Sequence, residues 1–177
     1  MTARTLRRRA ARPDRGASVV EFALIAPLLF LILFGIIDYG IWFSDSISAR
    51  QAVRDGARRG VVENFGTCQN PPGTAADMAK LACTVRAAME PIGGQAFVKV
   101  SVASGPSGPS GAPWAVGGTL RVCAMTKHNA LLPLVPFPAD GISRTRVDMP
   151  IEQLTGTPAR PEHTDLPPPG SDWNWCP

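Results

Sequence analysis

The chain has 177 residues, enough for one small domain and an anchor, and its formal net charge is +4, from 18 Lys and Arg against 14 Asp and Glu. Residues 1–16 contain six arginines and one aspartate, a local charge of +5, which leaves −1 on residues 17–177. Because the basic charge is confined to this leader, the rest of the chain is not expected to bind nucleic acid.

An apolar segment, residues 17–37, follows the leader and contains one charged side chain, Glu21. Its 21 residues, at about 1.5 Å per helical residue, span roughly 30 Å, the thickness of a bilayer core. The segment is a predicted transmembrane helix, in which Pro27 and Gly35 are tolerated as points of bending. Because arginine-rich flanks stay in the cytoplasm, we expect everything after the span to be extracytoplasmic.

The helical pattern continues beyond the span. Asp38, Tyr39 and Trp42 mark the extracytoplasmic membrane interface, where aromatic rings with a polar tip are common. Small residues then recur at intervals of three and four, so we predict one transmembrane and assembly helix over residues 17–62. Small side chains allow close approach, and this face packs against either a neighbouring subunit or the chain's own domain. The face consists of Ala49, Ala52, Val53, Gly56, Ala57 and Gly60.

Residues 63–154 are predicted to form a small extracytoplasmic α+β domain. A second helix is expected over residues 74–89, with Thr74 as its N-cap and Asp77 in its first turn. Alternating apolar residues predict three strands, and an antiparallel meander behind a helix is their simplest arrangement. The predicted strands are residues 95–103, with Val98, Val100 and Val102 on one face, 119–127 and 142–151.

The remaining segments are predicted to be irregular. Glycine, proline and serine dominate residues 105–113, which we interpret as a turn or loop, and three prolines make residues 131–138 a connector. Residues 155–177 form a proline-rich, extended tail. Trp173, Trp175 and Cys176 are expected to attach its end to the domain.

Four cysteines, Cys68, Cys83, Cys123 and Cys176, lie on the predicted exported side. An even number of cysteines in an exported segment favours two disulfides, and these spacings do not fit a zinc site. Three connectivities are possible. We favour Cys68–Cys83, which closes a short loop, with Cys123–Cys176, which ties down the tail. His128 and His163 stand alone in the sequence and are interpreted as surface residues.

No catalytic motif is recognisable. The sequence has no nucleophile elbow of the Gly-x-Ser-x-Gly type, no phosphate-binding glycine loop before a helix and no His-Glu-x-x-His. We therefore expect no enzymatic activity, no cofactor and no metal. The remaining signals concern membrane insertion and assembly.

Several short motifs follow one another over residues 15–62. They are Gly16, Glu21-Phe22-Ala23, the proline of Ala26-Pro27-Leu28-Leu29, the segment 35–40 and the alanine- and arginine-rich segment 49–59. In this order they resemble the N-terminal region of TadE-like proteins, the minor pilins or pseudopilins of tight-adherence (Flp, type IVc) pili. The resemblance covers about a quarter of the chain.

The resemblance implies a type IV pilin-like fold and cleavage by a prepilin peptidase between Gly16 and Ala17, on the cytoplasmic side. Glu21 would become the fifth residue of the mature chain, followed by Phe22, and its carboxylate would pair with the new amino group of Ala17 in a neighbouring subunit. The implied partners are the prepilin peptidase, other pilins and pseudopilins, the pilus assembly machinery and the membrane. The large domain after the helix favours a minor subunit, acting in initiation, at the tip or in anchoring.

Two other functions fit the same sequence. A permanently membrane-anchored extracytoplasmic binding protein, or adhesin, would keep its leader. A soluble exported protein would be cut by signal peptidase before Ala49, after the small residues Ser46 and Ser48, although Asp45 lies inside that site. The N-terminus of the mature protein distinguishes the three.

Overall fold

The computed structural model describes residues 15–68, 76–92, 94–105, 108, 110–131, 137, 141–152 and 160–177, apart from the side chain of residue 15. Some expectations lie outside these ranges: the leader up to residue 14, the residue proposed as N-cap of the second helix, most of the connector 131–138 and the start of the tail. The loop 105–113 is described in part.

The first helix, α1, is continuous over Arg15–Val61, as predicted. Two backbone hydrogen bonds close its C-terminal end, from the N–H of Glu63 to the carbonyl of Gly60 and from the N–H of Asn64 to the carbonyl of Arg59, both 2.9 Å. This is the Schellman arrangement. Glu63 has a φ of 59°, a left-handed conformation that glycine adopts most easily.

The second helix, α2, spans Asp77–Met89. The predicted N-cap, Thr74, is wrong, because the N-cap position is Ala76, which makes no side-chain capping bond. Asp77 is in the first turn, as predicted, where its negative charge complements the helix dipole.

Four antiparallel strands form one sheet in the order β3-β2-β1-β4. The predicted meander of three strands is confirmed, and β4 is an addition that pairs with β1. Two residues are too few to show an alternating pattern, so the sequence did not predict β4. The strands are β1 Gly94–Ala103, β2 Thr119–His128, β3 Ile142–Pro150 and β4 His163–Thr164.

The C-terminal part of α1 and the whole of α2 pack on one face of the sheet and form the hydrophobic core with it. The alternating valines of β1 point into this core, as predicted, and alternate residues of β2 join them. The sheet residues on this face are Val98, Val100, Val102, Leu120, Val122 and Ala124.

The C-terminal tail covers the opposite face of the sheet. Lys99 donates to the carbonyl of Cys176 at 2.8 Å, and the guanidinium of Arg121 donates to the C-terminal Pro177. Arg121 and Cys123 are fully buried beneath the tail. The central strand β2 is therefore enclosed on both faces.

Both disulfides join the pairs favoured from the sequence. The Cα atoms are 5.6 Å apart in Cys68–Cys83 and 6.5 Å apart in Cys123–Cys176. The first disulfide fastens the segment after α1 to α2. The second fastens the tail to the centre of the sheet.

A nearly buried arginine connects the end of α1 with the rest of the domain. Arg160 donates to Glu63 and to Asp77, each at 2.9 Å. Its guanidinium lies 4.6 Å from the ring centre of Phe65 and 4.8 Å from that of Trp114, within range of cation–π attraction. This contact gives the side chain of Glu63 a role at a position where the backbone alone would favour glycine.

Candidate assembly site on the N-terminal helix

The first half of α1, residues 16–37, exposes its large apolar side chains. Their exposed fractions run from 38% to 77%. The most apolar 18-residue window of the helix has a mean hydropathy of 2.6, and 0% of this window is buried. Within the described part of the chain this is the one helix long and apolar enough to cross a membrane. We call residues 16–37 the exposed half.

The predicted cleavage and assembly residues lie together at the start of this exposed half. Gly16, Ala17, Glu21 and Phe22 are all exposed. Residues four apart lie on the same side of a helix, so Ala17 and Glu21 are neighbours one turn apart. Among the described residues, no hydrogen bond or ion pair reaches the Glu21 carboxylate.

Four of the glycines of α1 fall into two kinds. A Cβ atom added at Gly16 or Gly40 would meet nothing within 4 Å. At Gly56 it would overlap the side chain of Val85 in α2, and at Gly60 it would overlap leucine side chains from α2 and β2. Packing within the chain therefore explains the two later glycines and does not explain Gly16 or Gly40.

The second half of α1, residues 38–61, is docked on the domain, and we call it the docked half. Its small-residue face is buried, with Val53 and Ala57 inaccessible to solvent. Of the two packing partners that the sequence left open, the structure shows the chain's own domain.

Two buried acids hold the docked half in place. Asp38 is inaccessible to solvent, and both of its carboxylate oxygens lie 3.1 Å from the backbone nitrogen of Leu131. Asp45 accepts a hydrogen bond of 3.1 Å from the backbone N–H of Ile92. From the sequence, Asp38 is expected at the membrane interface and Asp45 has no structural role. Their spacing could have predicted that both are buried, because residues seven apart lie on the same face of a helix, here the small-residue face.

An aromatic cluster lies next to Asp38. The ring of Phe137 is 4.9 Å from that of Tyr39, 6.4 Å from that of Trp42 and 5.0 Å from that of His128, measured between centroids. The imidazole Nε2 of His128 is 3.6 Å from the carboxylate of Asp38. The interpretation of His128 as a surface residue is therefore wrong, because the helix and the ring of Phe137 cover it.

His163 is half-buried, and its Nε2 lies 3.1 Å from a carboxylate oxygen of Asp165. No group of three or more His, Cys, Asp or Glu side chains among the described residues is placed to hold a metal ion.

An open groove of about 440 Å³ lies beside the start of β1. Arg86 and Asp165 line it and form an ion pair with each other. Asp165 also accepts a hydrogen bond from the backbone of Val98. These charges hold the tail against the sheet.

An apolar helix that continues into a small α+β domain with an antiparallel sheet defines a pilin-like fold. A family model for TadE-like proteins matches residues 16–58. The match covers the exposed half and nearly all of the docked half, so the resemblance inferred from the sequence is confirmed there. It indicates a membrane-linked protein related to the tight-adherence pilus. Comparison with curated proteins and with solved structures gives no match.

Proposed function

We propose that this protein is a minor pilin, or pseudopilin, of a tight-adherence pilus, processed by a prepilin peptidase and active in assembly, initiation or anchoring of the fibre. The observation that carries the proposal is where the TadE-like match begins. It starts at Gly16, the first residue of the exposed half of α1.

The surroundings of Gly16 support a role in cleavage. Glycine in a helix is less stable than alanine by roughly 0.5–1 kcal/mol. No neighbour among the described residues requires a residue without Cβ at this position. A peptidase that binds the peptide in an extended form does require one, because the missing side chain allows the closest approach of the two backbones. Cleavage here leaves Ala17 as the first residue.

Glu21 supports a role in assembly. It is the one charged residue in the segment 17–37 and is exposed on α1. A carboxylate among apolar groups is unfavourable unless it is paired. The amino group created at Ala17 of a neighbouring subunit is a suitable partner, since it sits at a helix N-terminus, where the dipole adds positive potential.

The exposed apolar surface also continues past the predicted span. Phe43 is 62% exposed and Ile47 is 40% exposed. Together with Ile36 and Gly40 they are spaced by four, three and four residues, one stripe on a helix. Residues 17–47 measure about 46 Å, whereas a bilayer core is about 30 Å thick. Helices of neighbouring pilins would cover the part that lipid does not reach.

The proposed location follows from the same features. The arginine-rich leader remains in the cytoplasm, α1 crosses the cell membrane once, and the domain is extracytoplasmic. Two disulfides in the domain are in keeping with an oxidising compartment. The protein would then pass from the membrane into the pilus.

The cleavage is tested by mass spectrometry of the protein isolated from piliated cells. We expect an N-terminus at Ala17. Gly16→Ala should slow processing strongly, whereas Gly40→Ala, a change of the same chemistry at an equally open site, should leave it unaffected. An intact leader would instead support the permanently anchored binding protein or adhesin, and an N-terminus at Ala49 would support release by signal peptidase.

The pairing is tested with Glu21→Ala and the isosteric Glu21→Gln. Both variants should be cleaved at Ala17 and remain in the membrane, but sheared pili should contain much less of either, because the charge is lost in both. The measurement is immunoblotting of membrane and pilus fractions. Normal incorporation of Glu21→Gln would show that the negative charge is not needed.

A further inference from the structure

We propose that the end of the domain nearest the span rests on the bilayer surface, with the side chains of Leu131, Ile92, Tyr39, Trp42 and Phe137 in the lipid interface. We call these five residues the membrane-proximal collar. The inference rests on the membrane anchoring that is part of the proposed function. It adds a second contact with lipid, made by loops of the domain in addition to the helix.

The hydrogen bonds of the two buried acids fix the height of the collar above the membrane. Leu131 is bonded to Asp38, the first residue after the segment 17–37. Ile92 is bonded to Asp45, which is seven residues, or about 10 Å, farther along the helix. The headgroup layer extends roughly 5–8 Å beyond each side of the hydrocarbon core. Leu131 therefore lies where the core ends, and the backbone of Ile92 lies just above the headgroup layer, which its side chain can reach.

The collar residues have the right chemistry for that depth. Leu131 is 62% exposed and Ile92 is 72% exposed, although both belong to the folded domain. Tyr39 and Trp42, at the same level of α1, are the residue types that concentrate at membrane interfaces. In the sequence, residues 131–138 contain no polar side chain. Exposed apolar residues are ordinary when isolated, but the five residues of the collar lie within about 10 Å of the end of the span.

Two described residues between β2 and β3, Leu131 and Phe137, contact the helix independently. One contact is the bond between the Leu131 N–H and Asp38, and the other is the stacking of Phe137 on Tyr39 at 4.9 Å. Their position at the exit of the span favours lipid as the occupant of this surface. A neighbouring subunit is the alternative occupant, and the experiment has to distinguish it from lipid.

The other end of the sheet offers a matched control. Val116 is also apolar and also 62% exposed, in the turn before β2. The ten residues of β2 separate its two ends by about 30 Å. Val116 is thus as accessible as Leu131 but lies far from the membrane.

The experiment places the photoreactive residue p-benzoylphenylalanine singly at positions 28, 92, 116 or 131 of the full chain. Each protein is reconstituted in nanodiscs of phosphatidylethanolamine and phosphatidylglycerol, illuminated, and analysed by mass spectrometry for lipid adducts. Position 28, in the middle of the span, reports insertion. Thermal unfolding of each variant verifies that the domain is folded.

We expect strong lipid adducts at position 28, clear adducts at 131, weaker adducts at 92, and at least about fivefold less at 116 than at 131. Adducts at 28 but not at 131 would overturn the collar and leave the anchor intact. Protein adducts in place of lipid adducts at 131, or equal lipid adducts at 116 and 131, would also overturn it. Absence of adducts at 28 would instead refute the membrane span itself.

Discussion

The two halves of α1 belong to one uninterrupted helix but have opposite surroundings. The exposed half, residues 16–37, presents large apolar side chains outward. The docked half, residues 38–61, has a face of small residues buried against α2 and the sheet. Side-chain size thus differs between the halves: the side chains are large where the helix is exposed and small where the backbone of α1 approaches its own domain.

The same comparison explains why residues of one type have different roles in the two halves of the helix. Gly56 sits against Val85, so its lack of a side chain is required by packing. Gly16 has no such neighbour in the part of the chain that the structure describes. Likewise, Asp38 is buried with a backbone partner, whereas Glu21 is exposed. Gly56 and Asp38 therefore have structural roles in the docked half, whereas no contact among the described residues accounts for Gly16 or Glu21 in the exposed half.

The largest expected effect concerns the exposed half. Leu28→Arg should reduce membrane insertion by about 3 kcal/mol, because arginine near the middle of a span is disfavoured by that amount relative to leucine. The free energy of unfolding of the domain should change by less than about 0.5 kcal/mol. Alkaline extraction of membranes measures the first quantity, and urea unfolding in detergent measures the second. Leu28→Ile is the control, and a domain destabilised by Leu28→Arg would break the comparison.

A smaller effect is expected from the acid at the start of the docked half. Asp38→Ala removes a fully buried acceptor and leaves the N–H of Leu131 without its partner, so the free energy of unfolding should fall by about 2 kcal/mol. Amide exchange at Leu131 should become faster. Glu21→Ala, in the exposed half, should leave unfolding unchanged. Equal stability of the two variants would mean that Asp38 does not fasten the helix to the domain.

The smallest expected effect is the difference in stability between Gly40→Ala and Gly56→Ala. In a helix, replacing glycine by alanine is worth up to about 1 kcal/mol, and Gly40→Ala should retain that gain. Gly56→Ala should instead lower the free energy of unfolding by about 1–2 kcal/mol, because Val85 is buried and its branched side chain has little rotamer freedom in α2. The double variant Gly56→Ala/Val85→Ala should recover part of the loss. Without a difference between Gly40→Ala and Gly56→Ala, the close approach of α1 and α2 would be refuted.

Much of the architecture could be predicted from local pattern. Apolar periodicity predicted the extent of α1 and the three long strands, and alternation predicted that Val98, Val100 and Val102 face the core. The short loop between its two cysteines favoured the disulfide Cys68–Cys83, and the need to tie down the tail favoured Cys123–Cys176; both are observed. The start of α2 and the two-residue strand β4 could not be predicted, because neither has a local pattern of its own.

Some features of the candidate site could likewise be predicted from the sequence, and others could not. The sequence by itself determined the membrane-length apolar segment, its single acid Glu21, the position of Gly16 before it, and the face of small residues, since these depend on residue type and spacing along one helix. Only the tertiary structure decided what covers that face and what Asp38 and Asp45 bind. Their partners lie 93 and 47 residues away in the chain. Periodicity shows which side of a helix is buried, but the groups that bury it come from elsewhere in the fold.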